Sequence, residues 1–281
     1  MRLTKSLFIE YLDSPLHMWL KSRSQVTPKP ISIYDQHIMK QGYEIEELAK
    51  VFLEKKVILD YPAGSTISFE ETLTDGNYQS RIDALVHNTT NNTYDLYEIK
   101  SSTTIHTEHK HDVVFQHLIG KATLPINKTY LVRVNGDYRR EGEIDLQQLF
   151  LIEDMEHEIA KREDEVYKLR SDAWSTLRLE NMPTDEHCFK PETCPYPAIC
   201  FPNLADYPIY DLSRANKNKY RQLIDMDISL VKDIPDTVKT TTKQKAQIQS
   251  ARIGKPIVKH EAIKKQLDSL EFPLYFLSFT K

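Results

Sequence analysis

Glycine is scarce in this chain. Its 281 residues hold seven, at positions 42, 64, 76, 120, 136, 142 and 254, and no two lie close together. That excludes a G-x-G-x-x-G dinucleotide loop, a Walker A loop and a G-x-S-x-G nucleophile elbow. Each needs clustered glycines where the backbone approaches a phosphate or turns sharply. Nicotinamide-dependent enzymes, P-loop NTPases and α/β-hydrolases are thereby set aside. Cysteine is scarce too, with three residues at 188, 194 and 200. An odd number within so short a stretch is no disulfide framework, and it is the usage of a cytoplasmic protein. No apolar run approaches the ~20 residues that span a bilayer, so no membrane partner is expected. The opening, MRLTKSLFIEYLDSP, is charged and broken early and does not read as a secretory signal. Charge of one sign is not in excess either. Lys and Arg number 37 against 41 Asp and Glu, a net of −4, which alone points to neither nucleic acid nor membrane.

The composition, 40% hydrophobic and 28% charged, suits a globular protein with a sizeable core, built as one large domain or two ordinary ones. Residues 3–22 read as a helix, capped by Thr4 or Ser6 and broken or restarted at Pro15 after Ser14. Residues 34–56 repeat apolar positions at helical spacing. The period then changes. VILDY, TISFEETLT, YQSRIDALVHN and TYDLYEIKSS are strand-like runs, divided by the turn chemistry of PAG, TDGN and NTTNN. A helix over 108–122 follows, then a strand in KTYLVRVN with Tyr130, Val132 and Val134 on one face. Helix, three strands, helix and strand in that order describe an α/β domain. Residues 155–180 form a charged helix with Ile159, Val166, Leu169 and Trp174 inward. The stretch 183–202, rich in Pro and Cys, cannot be regular helix. Residues 203–270 are polar and mostly helical, and the chain closes on FPLYFLSFTK, a buried-type strand.

The chemistry concentrates in RIDALVHNTTNNTYDLYEIKSS. Asp83 lies in one strand and Glu98-Ile99-Lys100 in the next, across an Asn/Thr-rich turn. Strand alternation sets Glu98 and Lys100 on one face and Ile99 in the core opposite. A hairpin brings Asp83 level with Glu98, and two carboxylates there can hold Mg²⁺ or Mn²⁺ through oxygen. Such an ion acidifies its water and stabilises charge developing on a phosphate, and Lys100 is placed to steady the water or that charge. The thiols of Cys188, Cys194 and Cys200, in an irregular Pro-rich loop, suit an iron–sulfur cluster or another metal. His106, His109, His111 and His117 straddle a loop and a helix start at a spacing that fits no zinc pattern. They read as polar lining near the mouth of the site rather than as ligands. From Arg214 to Lys259 the chain carries 11 Lys/Arg against 4 Asp. That fits a phosphate-backbone partner and fits a solvated helical face nearly as well. Tyr220 is its one aromatic residue, so no base-stacking platform is expected there.

Asp83, then Glu98-Ile99-Lys100, then a helix bearing Gln116 resemble the PD-(D/E)XK nuclease superfamily, with Ile82 before the aspartate where the family name has proline. Within it the chain is similar to the RecB-like branch of helicase-associated and CRISPR-associated exonucleases. The resemblance implies an α/β restriction-endonuclease-like core (helix, three-stranded mixed sheet, helix, strand) with a helical C-terminal extension. It implies a metal-dependent deoxyribonuclease whose partner is DNA, serving repair, recombination or phage defence. Asp83 and Glu98 become metal ligands, joined by an acid of the GYEIEELAKVF helix, Glu47 or Glu44. Gln116 becomes the glutamine of a Q-x-x-x-Y motif that positions DNA, with Gly120 in the tyrosine's place. In that branch a cysteine before a proline near the start joins three later ones to bind a 4Fe-4S cluster. Cys188, Cys194 and Cys200 match the late three, but Ser14 stands at the first position. The cluster is then lost, incomplete, or helped by His17 or His187, and zinc on three cysteines and a histidine also fits. FPLYFLSFTK is similar to the first strand of an RNase H-like exonuclease domain that follows the nuclease domain in one bacterial group, with Ser278 and Thr280 where acids are expected. The implied organisation is a nuclease domain over 1–202, a basic helical extension over 203–270 and a remnant of a second domain over 271–281. The alternative is a truncated, catalytically impaired relative that binds nucleic acid or a partner without turnover.

Overall fold

The computed structural model describes the chain apart from Gln25, residues 184–187, Phe272 and residues 278–281. His187, Ser278 and Thr280 therefore lie outside the described residues.

A two-residue strand, β1 (Leu3–Thr4), runs straight into α1 (Lys5–Asp13), because the Thr4 hydroxyl accepts the Leu7 amide at 3.3 Å and caps the helix. Ser14 does double duty at the break. Its amide donates to the Glu10 carbonyl at 2.8 Å to close α1, and its hydroxyl accepts the His17 amide at 3.3 Å to open α2 (Pro15–Arg23). Pro15 sits at the first turn of α2, where its missing N–H costs nothing.

The next helix, α3 (Ile33–Asp60), is longer than expected, since VILDY does not form a strand. Its β-branched residues suggested one, but Val57 follows Ala49, Phe52 and Leu53 onto a buried helical face packed against the sheet. Packing overrides propensity here, and the helix stops at the tyrosine before Pro62, where proline disfavours helical backbone.

The sheet follows the expected order. β2 (Thr66–Asp75) and β3 (Tyr78–Asn88) form a long antiparallel hairpin turning at Gly76, whose φ of 54° is left-handed. β4 (Thr93–Lys100) pairs antiparallel with β3, and α4 (Thr107–Thr123) then crosses to β5 (Ile126–Val134), parallel to β4. A four-residue helix, α5 (Leu146–Leu149), leads into β6 (Phe150–Asp154), antiparallel to β5, and α6 (Glu156–Leu177) follows. The sheet order is β1-β3-β4-β5-β6, with β2 along the other edge of β3.

The β3 edge facing β4 is shared. β4 pairs with residues 84–88 and β1 with Tyr78 and Gln79, so residues 80–83 of that edge have no strand partner among the described residues. α1, α4 and α6 cover one sheet face, with Phe8 stacked on Phe115 at 4.5 Å, and α3 and α5 cover the other.

These elements form the first of two compact units, Met1–Cys188 with Thr193–Cys200. Its cysteine-bearing loop is irregular, as expected, apart from the short helix α7 (Pro197–Cys200). The second unit, Phe189–Glu192 with the chain from Phe201 onward, has α8 (Lys217–Asp225), α9 (Thr242–Ile253) and α10 (His260–Asp268), linked by turns. Its own core gathers Ile209, Leu212, Leu223, Val231, Ile234, Val238 and Ile248. Residues 273–277 are not a buried strand. Tyr275, Phe276 and Leu277 are exposed and pair with no strand among the described residues. No helix among the described residues is long and apolar enough to cross a membrane.

Candidate active site

Ala84 pairs with Tyr97 in the ladder, which sets Asp83 opposite Glu98. The backbones part there, and the Ile99 amide donates at 2.9 Å to Asp83 Oδ2 instead of to a strand carbonyl. Glu98 turns toward α4, where Gln116 meets it, and Asp83 lies beside it across Lys5. Ile99 packs on the opposite face in the α3 core, as alternation requires.

Four further side chains complete the group. Lys5 Nζ, from the first turn of α1, lies between the two acids, 3.4 Å from Asp83 Oδ1 and 3.2 and 3.1 Å from the two oxygens of Glu98. Lys100 Nζ is 2.6 Å from Glu98 Oε1 and 2.6 Å from Asp112 Oδ2. Gln116 Nε2 donates to Glu98 Oε2 at 2.6 Å and to Asp112 Oδ1 at 3.0 Å. The structure thus brings Asp83, Glu98, Lys100 and Gln116 together, and adds Asp112 and Lys5.

Asp112 had a local signal, since it stands one helical turn before Gln116 and so on the same face. Lys5 had none, because only the pairing of β1 beside β3 carries it to the site. Gln116, expected to position DNA, is 0% exposed and braces Glu98 and Asp112, and its Oε1 is buried without a partner among the described residues. Gly120 also has a structural reason. A Cβ there would sit 3.2 Å from Ile126 Cγ1, so the close approach of α4 to β5 leaves no room for the motif's tyrosine.

Electrostatics divide the acids. Glu98 is 1% exposed. Burial opposes its ionisation, but the ammonium groups of Lys100 and Lys5 outweigh burial and hold it well below the usual carboxylate range. Burial and the neighbouring Glu98 charge push Asp83 up to about 7 and Asp112 up to about 6. Burial also works against charge on Lys5 and Lys100, yet the facing carboxylates hold both above the ordinary lysine value.

Two acids from adjoining strands therefore converge on one positively charged atom. This hard-oxygen donor set fits a divalent cation of the magnesium class. Lys5 now lies at that point on a flexible stem, 23% exposed.

Glu47 is not brought to this group. Its side chain is 73% exposed and pairs with Lys50, which also meets Glu46 and Glu70, while Glu44 faces Lys40 on the helix surface. The four histidines do not converge. His106 faces His109, His111 faces Glu165, and His117 Nδ1 bonds Thr129 Oγ1 at 2.9 Å. Burial and the Lys100 charge both depress His109.

The three cysteines do come together, around His17. Its Nε2 is 3.4 Å from both Cys194 Sγ and Cys200 Sγ, and the ligand atoms of His17, Cys188 and Cys194 all lie within 4.8 Å of one another. Burial pushes the Cys194 thiol up to about 11, and the facing Cys188 thiol together with burial raises Cys200. Ser14, at the expected first-cysteine position, is buried with its hydroxyl on the His17 amide.

No protein-family model matches the chain, and no curated protein matches it. Among solved structures it is similar to an alkaline exonuclease from Laribacter hongkongensis, at 14% identity over 63% of this chain and 89% of that one, with a TM-score of 0.39. The same exonuclease in complex with dAMP gives a TM-score of 0.40 at 14% identity, over 63% and 89% of the two chains. A protein designated SSO0001 gives 0.38 at 15% identity, over 72% and 86%. At such identities and scores no residue is carried across from them.

Proposed function

We propose that the chain is a divalent-cation-dependent nuclease that hydrolyses DNA phosphodiester bonds. One observation carries the reading: Asp83 and Glu98 converge around a single cationic atom with Lys100 beside them. Asp83 and Glu98 would hold Mg²⁺ or Mn²⁺, which when bound acidifies water and neutralises charge developing on the phosphate. The Ile99 amide keeps Asp83 turned to the site. Gln116 and Lys100 hold Glu98 from behind and beside, so neither acid has to reorganise during the reaction. Lys100 presents its charge where the scissile phosphate enters, and Lys5, on leaving the seat between the acids, offers a second ammonium to a phosphate oxygen. In this reading residues 1–202 carry the chemistry, the basic 203–270 stretch adds phosphate contacts, and the cysteine cluster takes no part in the reaction. The activity belongs to the class used in repair, recombination and phage defence.

A second reading has one observation in its favour. The Lys5 ammonium already fills the cation's place, as in a protein that binds nucleic acid without cutting it. Cleavage of DNA and RNA oligonucleotides with Mn²⁺ separates the two, with Asp83→Ala and Lys100→Ala as controls. Metal-dependent cleavage lost in both variants is the expected result. Equal activity in all three proteins rejects the assignment. Salt-sensitive DNA binding with no cleavage favours the second reading.

A further inference from the structure

We propose that His17, Cys188, Cys194 and Cys200 hold a single zinc ion, in place of the four-cysteine iron–sulfur cluster that the sequence resemblance implies. The inference stands on the geometry of these four residues and not on the nuclease reading.

The spacing suits one ion rather than a cluster. A tetrahedral zinc with bonds of ~2.3 Å to sulfur and ~2.0 Å to nitrogen has its ligand atoms about 3.5–3.8 Å apart. His17 Nε2 stands 3.4 Å from two of the thiols, and Cys188 and Cys194 complete a group within 4.8 Å. A four-iron cube carries each thiolate on a different iron, which holds the sulfurs apart by about 6 Å. Three thiolates and an imidazole are also a common structural zinc set.

The surroundings are those of a ligand histidine. His17 is 1% exposed, and its other nitrogen, Nδ1, is buried without a hydrogen bond. Glu10 Oε1 lies 3.8 Å from that nitrogen, and Lys21 anchors Glu10 at 2.8 Å. A carboxylate on that side of the imidazole favours the tautomer with its proton on Nδ1, which leaves Nε2 free to ligate. The Tyr196 amide donates to Cys194 Sγ at 3.3 Å, a bond that strengthens when the sulfur carries charge.

The serine also finds its place. Ser14 Oγ is engaged in capping α2 through the His17 amide. His17 lies three residues on, one helical turn away on the same face. The ligand has moved along α2 from the position the resemblance assigns to cysteine. The ion then ties α2, near the start of the first unit, to the loop that ends it.

The full chain, purified without a chelator, is the sample. Elemental and sulfide analysis should find one zinc per chain, no labile sulfide and no visible absorption. Competition with a chromophoric chelator should show Glu10→Gln binding zinc about 10–100-fold more weakly, as loss of a supporting carboxylate does. His17→Ala should lose the ion. Iron with sulfide and absorption at roughly 400 nm, the signature of thiolate-bound clusters, overturns the proposal. So does a metal-free protein that takes up no zinc, or a folded His17→Ala that binds zinc as tightly as the parent. If His17→Ala does not fold, Glu10→Gln decides, and an unchanged affinity refutes the role given to the imidazole. None of these readouts involves DNA.

Discussion

Removing the Lys5 ammonium should destabilise the protein and at the same time make its stability depend on added Mn²⁺. Lys5→Met keeps most of the stem's packing and deletes the charge between Asp83 and Glu98. Three carboxylates then face one ammonium, that of Lys100. Deleting one partner of a buried ion pair costs about 3–5 kcal/mol. The cost here is smaller, because Lys5 is 23% exposed and Asp83, already raised to about 7, can take up a proton instead. A loss of about 2–3 kcal/mol follows, or about 4–12 °C in Tm for a unit of this size. Added Mn²⁺ should reverse the loss. In the parent the ion must displace an ammonium from the carboxylates, and in the variant it need not. If half or more of the stability loss reflects that competition, Mn²⁺ binds the variant about tenfold more tightly, since 1.4 kcal/mol is a factor of ten. Thermal melts of both proteins across a Mn²⁺ titration read this directly through ligand-linked stabilisation. No chelator is added, so that any ion on the cysteines stays in place. An unchanged Tm for Lys5→Met without Mn²⁺, or equal Mn²⁺-induced shifts in the two proteins, would refute the reasoning.

Three other outcomes are expected. Gln116→Leu removes two bonds to carboxylates, each worth about 1.5–3 kcal/mol, but also an orphaned buried oxygen that costs about 1–3 kcal/mol. It should lose about 1–3 kcal/mol in urea melts and lower kcat with little change in KM, whereas a rise in KM alone would mean that the side chain touches DNA. Ser14→Ala should cost about 1 kcal/mol through the lost α2 cap and leave the metal content unchanged; loss of metal would make the serine a ligand after all. Gly120→Val should cost about 1–3 kcal/mol by overpacking against Ile126, and denaturation at the parent's midpoint would show that α4 has more room than its position allows.

The strands that carry the acids were legible because alternation and turn chemistry agreed. YQSRIDALVHN and TYDLYEIK are β3 and β4 as expected, and the pairing sets Asp83 across from Glu98. α4 and α6 were legible from helical periodicity, and the restart at Pro15 from the absent amide. VILDY was misread for a local reason with a tertiary cause: its β-branched residues favour a strand until α3 finds the sheet face to bury Val57. Residues 273–277 of FPLYFLSFTK are the opposite case: their apolar run suits a strand, and among the described residues they pair with none.

What the sequence determined by itself was short-range. Periods of two and of about 3.6 residues, caps and turns named the α/β order and set Glu98 and Lys100 on one strand face, because those rules act over a few residues. It also marked Cys188, Cys194 and Cys200 as one chemical group. Only the tertiary structure decided which groups share a charge field. The short β1 pairing carries Lys5 onto Asp83 and Glu98, α4 lays Asp112 and Gln116 against Glu98, and α2 delivers the His17 ring to thiols far along the chain. Hydrogen bonds and ion pairs depend on distance in space, and spacing along a chain does not encode distance between segments that the fold brings together.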